Sequence, residues 1–206
     1  MSFVRVLILM AGFALLAGCE TNDLKKPPVP LGDFVLGVNV GLADTPDVPS
    51  ISRKATPDEW KAGIEKAMAD RFGRYDGNRI YNFAVRVDGY VLAPPVLPVV
   101  AAIRSALIVT VFVFDDATQT LLNPGGKQLT MVEAISPQSF IGSGITQTKA
   151  QQIALMSYRA ALSVQNYLLE NPEWLNLPPV GAPAAGHAAK PEVAPVAAAV
   201  GAAAAK

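Results

Sequence analysis

Histidine and cysteine are nearly absent from this 206-residue chain, which has one of each. A single cysteine, Cys19, excludes an intramolecular disulfide. The single histidine, His187, lies in a run of small residues near the C terminus. His-dependent acid–base chemistry, a Ser–His–Asp triad and His/Cys metal centres therefore lack their usual parts. Excess charge is missing too. Lys plus Arg is 17 and Asp plus Glu is 17, so electrostatics gives no basis for binding nucleic acid or an anionic membrane surface. There is no Walker phosphate loop and no complete three-glycine dinucleotide fingerprint. Carboxylate chemistry survives these exclusions, because paired Asp and Glu residues meet only in a fold. A carboxylate-dependent hydrolase is thus the one enzymatic alternative that stays open, and the expected reading is not an enzyme.

What is present starts at the N terminus. Arg5 precedes the apolar run Val6–Leu16, which ends in Leu16-Ala17-Gly18-Cys19. A basic residue, a short apolar core and small residues at a cut site make a secretory signal. The core of about eleven residues is too short for a spanning helix, which needs roughly twenty. Leu16, Ala17, Gly18 and Cys19 resemble the bacterial lipobox at every position. That resemblance implies a diacylglycerol on the Cys19 thiol, cleavage before Cys19, and an acyl chain such as palmitate on the new amine. Each buried CH₂ contributes about 0.8 kcal/mol, so two or three acyl chains anchor a protein permanently. The covalent lipid on Cys19 is the only non-protein group expected, with no other cofactor and no metal. Asp after the lipidated Cys retains lipoproteins at the inner membrane in well-studied envelopes. Here Glu20 follows, so resemblance favours the periplasmic face of the outer membrane.

The rest of the chain divides by composition. Residues 1–18 are the signal, and 19–33 are the lipidated Cys and a tether. Residues 34–177 form an α/β domain of about 150 residues, long enough to bury a core. Residues 178–206 are an Ala/Pro-rich tail without the large apolar residues that offset ordering entropy. Lys25-Lys26-Pro27-Pro28-Val29-Pro30 predicts an extended tether, at about 3.1 Å per residue. Phe34–Val40 reads as a first strand. Thr56-Pro57-Asp58-Glu59 is a capping box, followed by Trp60, Ile64, Met68 and Phe72 at helical spacing and by Gly73 as a stop. Arg79–Leu92 contains a strand with Phe83, Val85 and Val87 on one face and Asn82, Arg86 and Asp88 on the other. Val99–Phe114 is the most hydrophobic stretch beyond the signal. Arg104 and the mostly β-branched or aromatic Leu107–Phe114 predict a central strand buried on both faces rather than a membrane span. Asp115-Asp116 and Asn123–Gly126 predict turns, with a further strand over Lys127–Ile135. Thr148 and Gln151 form a second capping box before a helix over Lys149–Leu169, with Ile153, Met156, Ala160, Val164 and Tyr167 as its stripe. Trp174, Leu175 and Leu177 are expected to fold back. The fold class is α/β (α+β): a two-layer sandwich, one mixed or mainly antiparallel sheet with two helices packed on one face.

Several motifs have a plainer reading beside the functional one. Gly142-Ser143-Gly144 before a helix that starts after Thr148 could bind an anionic headgroup through free backbone N–H groups. A structural loop is the plainer reading, since Gln147 replaces the third glycine. Asp115-Asp116 lacks the spaced acidic pattern of a calcium loop and reads as a hydrogen-bonded turn. Trp60 and Phe72, which could line a ligand groove, read as core at helical spacing. Arg86 and Asp88 are candidates for a partner surface, either by their polar face or by strand addition at an edge.

The layout behind the lipobox resembles small lipoproteins that assist envelope transport, among them the lipopolysaccharide-assembly lipoprotein and auxiliary lipoproteins of lipid-trafficking ABC systems. Gly142-Ser143-Gly144-Ile145-Thr146-Gln147-Thr148-Lys149 and its helix are similar to an uncharacterised alphaproteobacterial lipoprotein family, over roughly Phe34–Leu177. The resemblance implies a membrane-anchored, non-catalytic adaptor or accessory in envelope or lipid transport. Its partners would be the lipid bilayer, through acylated Cys19, and an envelope protein, with no nucleic acid. The alternative is a structural envelope lipoprotein whose tail reaches the cell wall or a partner.

Overall fold

The computed structural model describes residues 23–95, 103–134 and 147–175. In chain order they form β1 (Phe34–Leu42), α1 (Pro57–Phe72), β2 (Arg79–Val91), β3 (Ala106–Asp115), β4 (Thr120–Leu121), β5 (Lys127–Val132) and α2 (Lys149–Leu169). Short 3₁₀ turns at Asp23–Lys25 and Pro172–Leu175 stand before and after them.

Both helices start where their capping boxes place them. Thr56 N–H donates to Glu59 Oε2 at 2.8 Å, and Glu59 N–H returns a bond to Thr56 Oγ1 at 3.2 Å. Thr148 and Gln151 repeat the exchange at 2.8 and 3.2 Å. Each box satisfies two backbone N–H groups at a helix start that has no carbonyl partners for them.

The sheet is mixed. β1 lies parallel beside β2, and α1 makes the crossover between them. β2 and β3 are antiparallel, and β3 pairs with both β4 and β5 on its far side. β3 is therefore central. The helices lie side by side on one face and run the same way. Glu59 meets Lys149 at 2.7 Å near their starts, and Arg71 meets Gln165 at 3.1 Å near their ends. Trp60, Ile64, Met68 and Phe72 of α1 share one core with Ile153, Met156, Ala160 and Val164 of α2. Tyr81, Phe83, Val85, Val87, Leu107, Val109, Val111 and Val113 supply its sheet side. This is the expected two-layer sandwich. Gly63 has a packing reason: a Cβ there would lie 2.8 Å from Ile153 Cγ2 and 3.0 Å from Ser157 Oγ, where the helices touch.

Some expectations change. β3 is not buried on both faces: Leu107, Val109, Val111 and Val113 are fully buried, while Ile108, Phe112 and Phe114 on the other face are half-buried. Among the described residues the helices cover only one face, so the run alternates after all. Leu168, not Tyr167, completes the α2 stripe; Tyr167 packs edge-on against Trp174 with ring centroids 5.3 Å apart. Leu175 does fold back into the core, and Leu177 lies outside the described residues. Gly73 caps α1 at an ordinary φ of −71°, not in a left-handed turn. No helix among the described residues is long and apolar enough to cross a membrane.

The segment before β1 is docked over its described part rather than extended into solvent. Arg74 Nη1 donates to the carbonyls of Leu24 and Lys26 at 2.6 and 2.9 Å. Tyr75 Oη donates to Val29 O at 2.7 Å, and Leu31 is a core residue. Proline stiffness predicts an extended backbone, but it does not predict what the carbonyls meet.

Candidate functional site

Leu16, Ala17, Gly18, Cys19, Gly142, Ser143 and Gly144 lie outside the described residues. Thr148 is described, and its hydroxyl and N–H are engaged in the α2 capping box. Lys149 reaches across to Glu59. Among the described residues no group of three or more His, Cys, Asp or Glu is placed to hold a metal ion. Asp115 is not in the turn expected of it but is the buried last residue of β3, just before the turn. It takes Arg79 in a 2.5 Å ion pair and accepts from Thr118 Oγ1 at 2.6 Å. Burial works to raise its pKa, but these partners outweigh it and hold it below the ordinary value.

Arg86 and Asp88 lie on the sheet face away from the helices. Register puts Leu42, Arg86, Thr110 and Gln128 in one row across β1, β2, β3 and β5. Beside it run the rows Val40, Ala84, Phe112 and Gly89, Ile108, Thr130. None of these belongs to the helix-covered core. Asp88 is the extra residue where the β2–β3 register slips between Val87 and Gly89, and a bulge of this kind re-aims a side chain. Its carboxylate takes Arg86 Nε at 2.8 Å, Thr110 Oγ1 at 2.6 Å and Gln128 Nε2 at 3.3 Å. Burial pushes the Asp88 pKa up, but the bonds from Thr110, Arg86 and Gln128 prevail, so it falls below the ordinary carboxylate value. The Arg86 guanidinium sits 5.9 Å from the Phe112 ring centroid, within cation–π range. The face is thus a charged pair framed by half-buried apolar side chains, rather than a uniformly wet surface.

Strand addition at the β1 edge meets an obstacle. Gly41 N–H already donates to Glu65 Oε1 at 3.1 Å, and Asn39 Nδ2 donates to Glu65 O at 2.7 Å. At the other edge, the last β5 carbonyl, Val132 O, accepts from Arg159 Nη1 at 3.3 Å. These side chains cover parts of both edges, in the way that sheets avoid unwanted pairing.

A second constellation was not foreseen. Arg71, in the last turn of α1, is 1% exposed. Its guanidinium forms a two-pronged pair with Asp23, Nη1 to Oδ2 at 2.8 Å and Nη2 to Oδ1 at 2.9 Å. Gln165 Oε1 accepts from Nη1 at 3.1 Å, and the Tyr158 ring lies beneath at 5.1 Å. Tyr158 Oη also donates to Asp23 Oδ1. The Arg71 bond is the main cause that lowers the Asp23 pKa to about 2. Asp23 and Tyr158 are 135 positions apart, so no local motif links them. One signal was available: Arg71 follows Ile64 and Met68 on the buried stripe, and a buried guanidinium needs a counter-charge.

No known sequence family matches the chain, and no curated protein matches it significantly. Solved structures similar to it include a Xanthomonas campestris protein of the DUF330 family, 12% identical, over 71% of this chain and 94% of that one, with a TM-score of 0.39. A Caulobacter crescentus protein provisionally described as a lipoprotein is 17% identical, over 70% and 91%, with a TM-score of 0.34. A minor lipoprotein from Acinetobacter baumannii is 14% identical, over 64% and 93%, with a TM-score of 0.29. Identities and scores this low transfer nothing from those proteins to this chain.

Proposed function

We propose that the chain is a lipoprotein of the bacterial cell envelope, anchored through acylated Cys19 on the periplasmic face of the outer membrane. It serves there as a non-catalytic adaptor or accessory in envelope or lipid transport. The observation that carries the anchor is Leu16-Ala17-Gly18-Cys19 closing a short apolar run, with Cys19 the only cysteine in the chain. What supports an adaptor is the sheet face that carries no helix layer among the described residues, on which Arg86 and Asp88 are held among Val40, Leu42, Ile108 and Phe112. An interface of this kind has charged groups that set register and apolar groups that contribute the binding energy. The partner is an envelope protein.

The test is fractionation of wild type and Cys19→Ser, with the intact mass of the membrane-extracted protein, followed by crosslinking in native membranes. Wild type should carry the added mass of the acyl groups and sediment with membranes, while Cys19→Ser should move to the soluble fraction. Equal membrane retention of the two would refute the anchor. Peptidoglycan pull-down lost on truncation after Leu177 would point instead to the tail as the working part.

A further inference from the structure

The lipid anchor and the docked N-terminal segment together define which side of the domain meets the membrane. Asp23 is four positions after Cys19, so its Cα lies within about 14 Å of the Cα of the acylated cysteine even with the chain fully extended. Asp23 is not a free end. It is gripped by Arg71 in two charge-assisted bonds and by Tyr158, and the following carbonyls are held by Arg74. A two-pronged Arg–carboxylate pair fixes orientation as well as distance.

The grip is on the outer side of the helix layer. Tyr158 stands two residues after Met156 and two before Ala160, both fully buried toward the sheet. Two residues are about 200° of helical turn, so Tyr158 projects away from the sheet. The Arg86–Asp88 face lies on the opposite side of the sandwich.

We propose that the Asp23–Arg71–Tyr158 clamp mounts the outer surface of the α1–α2 layer against the lipid headgroups, and that the sheet face opposite the helices consequently points away from the bilayer. This rests on the lipid-anchor reading above. The surface that contacts the bilayer includes exposed Lys25 and Lys26, next to the clamp, and the exposed side of α1 around Ala69. The anchor then acts as a rigid mount and not as a leash. A domain on an extended tether of a dozen residues would sample all orientations; this one presents a single face to a partner.

The experiment uses the full-length acylated protein in phosphatidylethanolamine/phosphatidylglycerol vesicles that carry a headgroup-linked energy-transfer acceptor. Acylation blocks the thiol of Cys19, so a new cysteine is the only site a thiol-reactive donor dye can label. Ala69→Cys, on the outer side of α1, and Thr130→Cys, on the open sheet face, are both exposed positions. Transfer should be strong from Ala69→Cys and weak from Thr130→Cys. A flexible Gly/Ser insertion of a dozen residues between Asn22 and Asp23 leaves the clamp intact. It should lower transfer from Ala69→Cys and abolish the difference between the two sites. Asp23→Ala should also abolish the difference, with circular dichroism confirming that the domain is folded. Equal transfer from the two sites in the uninserted protein, or transfer that the insertion does not change, would overturn the mount. The intact mass separates this from failure of the anchor itself: a protein without acyl mass refutes the lipoprotein reading, whereas an acylated protein with equal transfer refutes only the mount.

Discussion

Arg71 shows what a single misplaced-looking residue can reveal. A guanidinium removed from water is strongly destabilising unless paired and hydrogen-bonded, and breaking such a pair costs about 3–5 kcal/mol when the charge is left buried. Burial works to lower the Arg71 pKa, but Asp23 outweighs it and the value is raised. The reciprocal effect falls on Asp23, whose pKa drops from 3.8 to about 2, mainly through the Arg71 bond, with Tyr158 and Arg74 adding and burial opposing. Because the folded value lies below the unfolded one, the contribution is fully present above about pH 4 and is lost as pH falls toward 2. The Asp23 carboxyl carbon, followed by NMR, should therefore titrate with a midpoint near 2. A midpoint at 3.8 or above would mean that the clamp is open in solution. The same carboxyl in a protein carrying Arg71→Lys should titrate higher, since lysine cannot make the two-pronged contact.

At the scale of elements, the parts legible in the sequence were those whose causes are local. Both helices begin at capping boxes that four consecutive residues spell out, and α2 spans Lys149–Leu169 as its stripe predicts. The β2 alternation puts Phe83, Val85 and Val87 in the core and Arg86 and Asp88 on the other face, but Asn82 there is buried rather than wet: Val38 N–H donates to its Oδ1 at 2.6 Å, and its Nδ2 donates to Asp116 Oδ1 at 3.2 Å. Long-range effects were not legible. The second face of β3 looked buried because Ile108, Phe112 and Phe114 are apolar, and only the placement of both helices on the other face leaves them half-buried. Gly63 is the clearest case. Local propensity makes it a defect of roughly 1 kcal/mol against Ala. The contact with Ile153 and Ser157 makes it a place where α1 and α2 meet too closely for a Cβ. Gly63→Ala should thus reverse the usual sign: the helix gains its propensity, but the overpacked contact costs typically 1–3 kcal/mol. A net loss of about 1 kcal/mol is expected in urea unfolding. Stabilisation would show that the helices can separate without penalty, and that close packing is not why glycine stands there.

The whole molecule is asymmetric in a way that its neutral charge conceals. One layer is helical and carries the docked N-terminal segment on its outer side; the other layer is a sheet whose second face has no helix packed on it among the described residues. The candidate partner surface was legible only as an alternation of polar residues. What the fold adds is the company: register brings Thr110 and Gln128 beside Asp88, and Phe112 under Arg86. Arg86 is 44% exposed and Asp88 is 18% exposed, so the pair is partly screened and its own effect on stability is small, about 0–1 kcal/mol. For a domain of this size that shifts the unfolding temperature by no more than about 5 °C. The same two groups at an interface have a larger effect, because a partner excludes the water that screens them. The double substitution Arg86→Ala with Asp88→Ala separates the two roles. It should leave unfolding within that range while reducing crosslinking to the envelope partner by about tenfold, which corresponds to about 1.4 kcal/mol of binding. Crosslinks formed at the wild-type yield by a protein that unfolds normally would mean that this face is solvated and nothing more, and that any partner docks elsewhere.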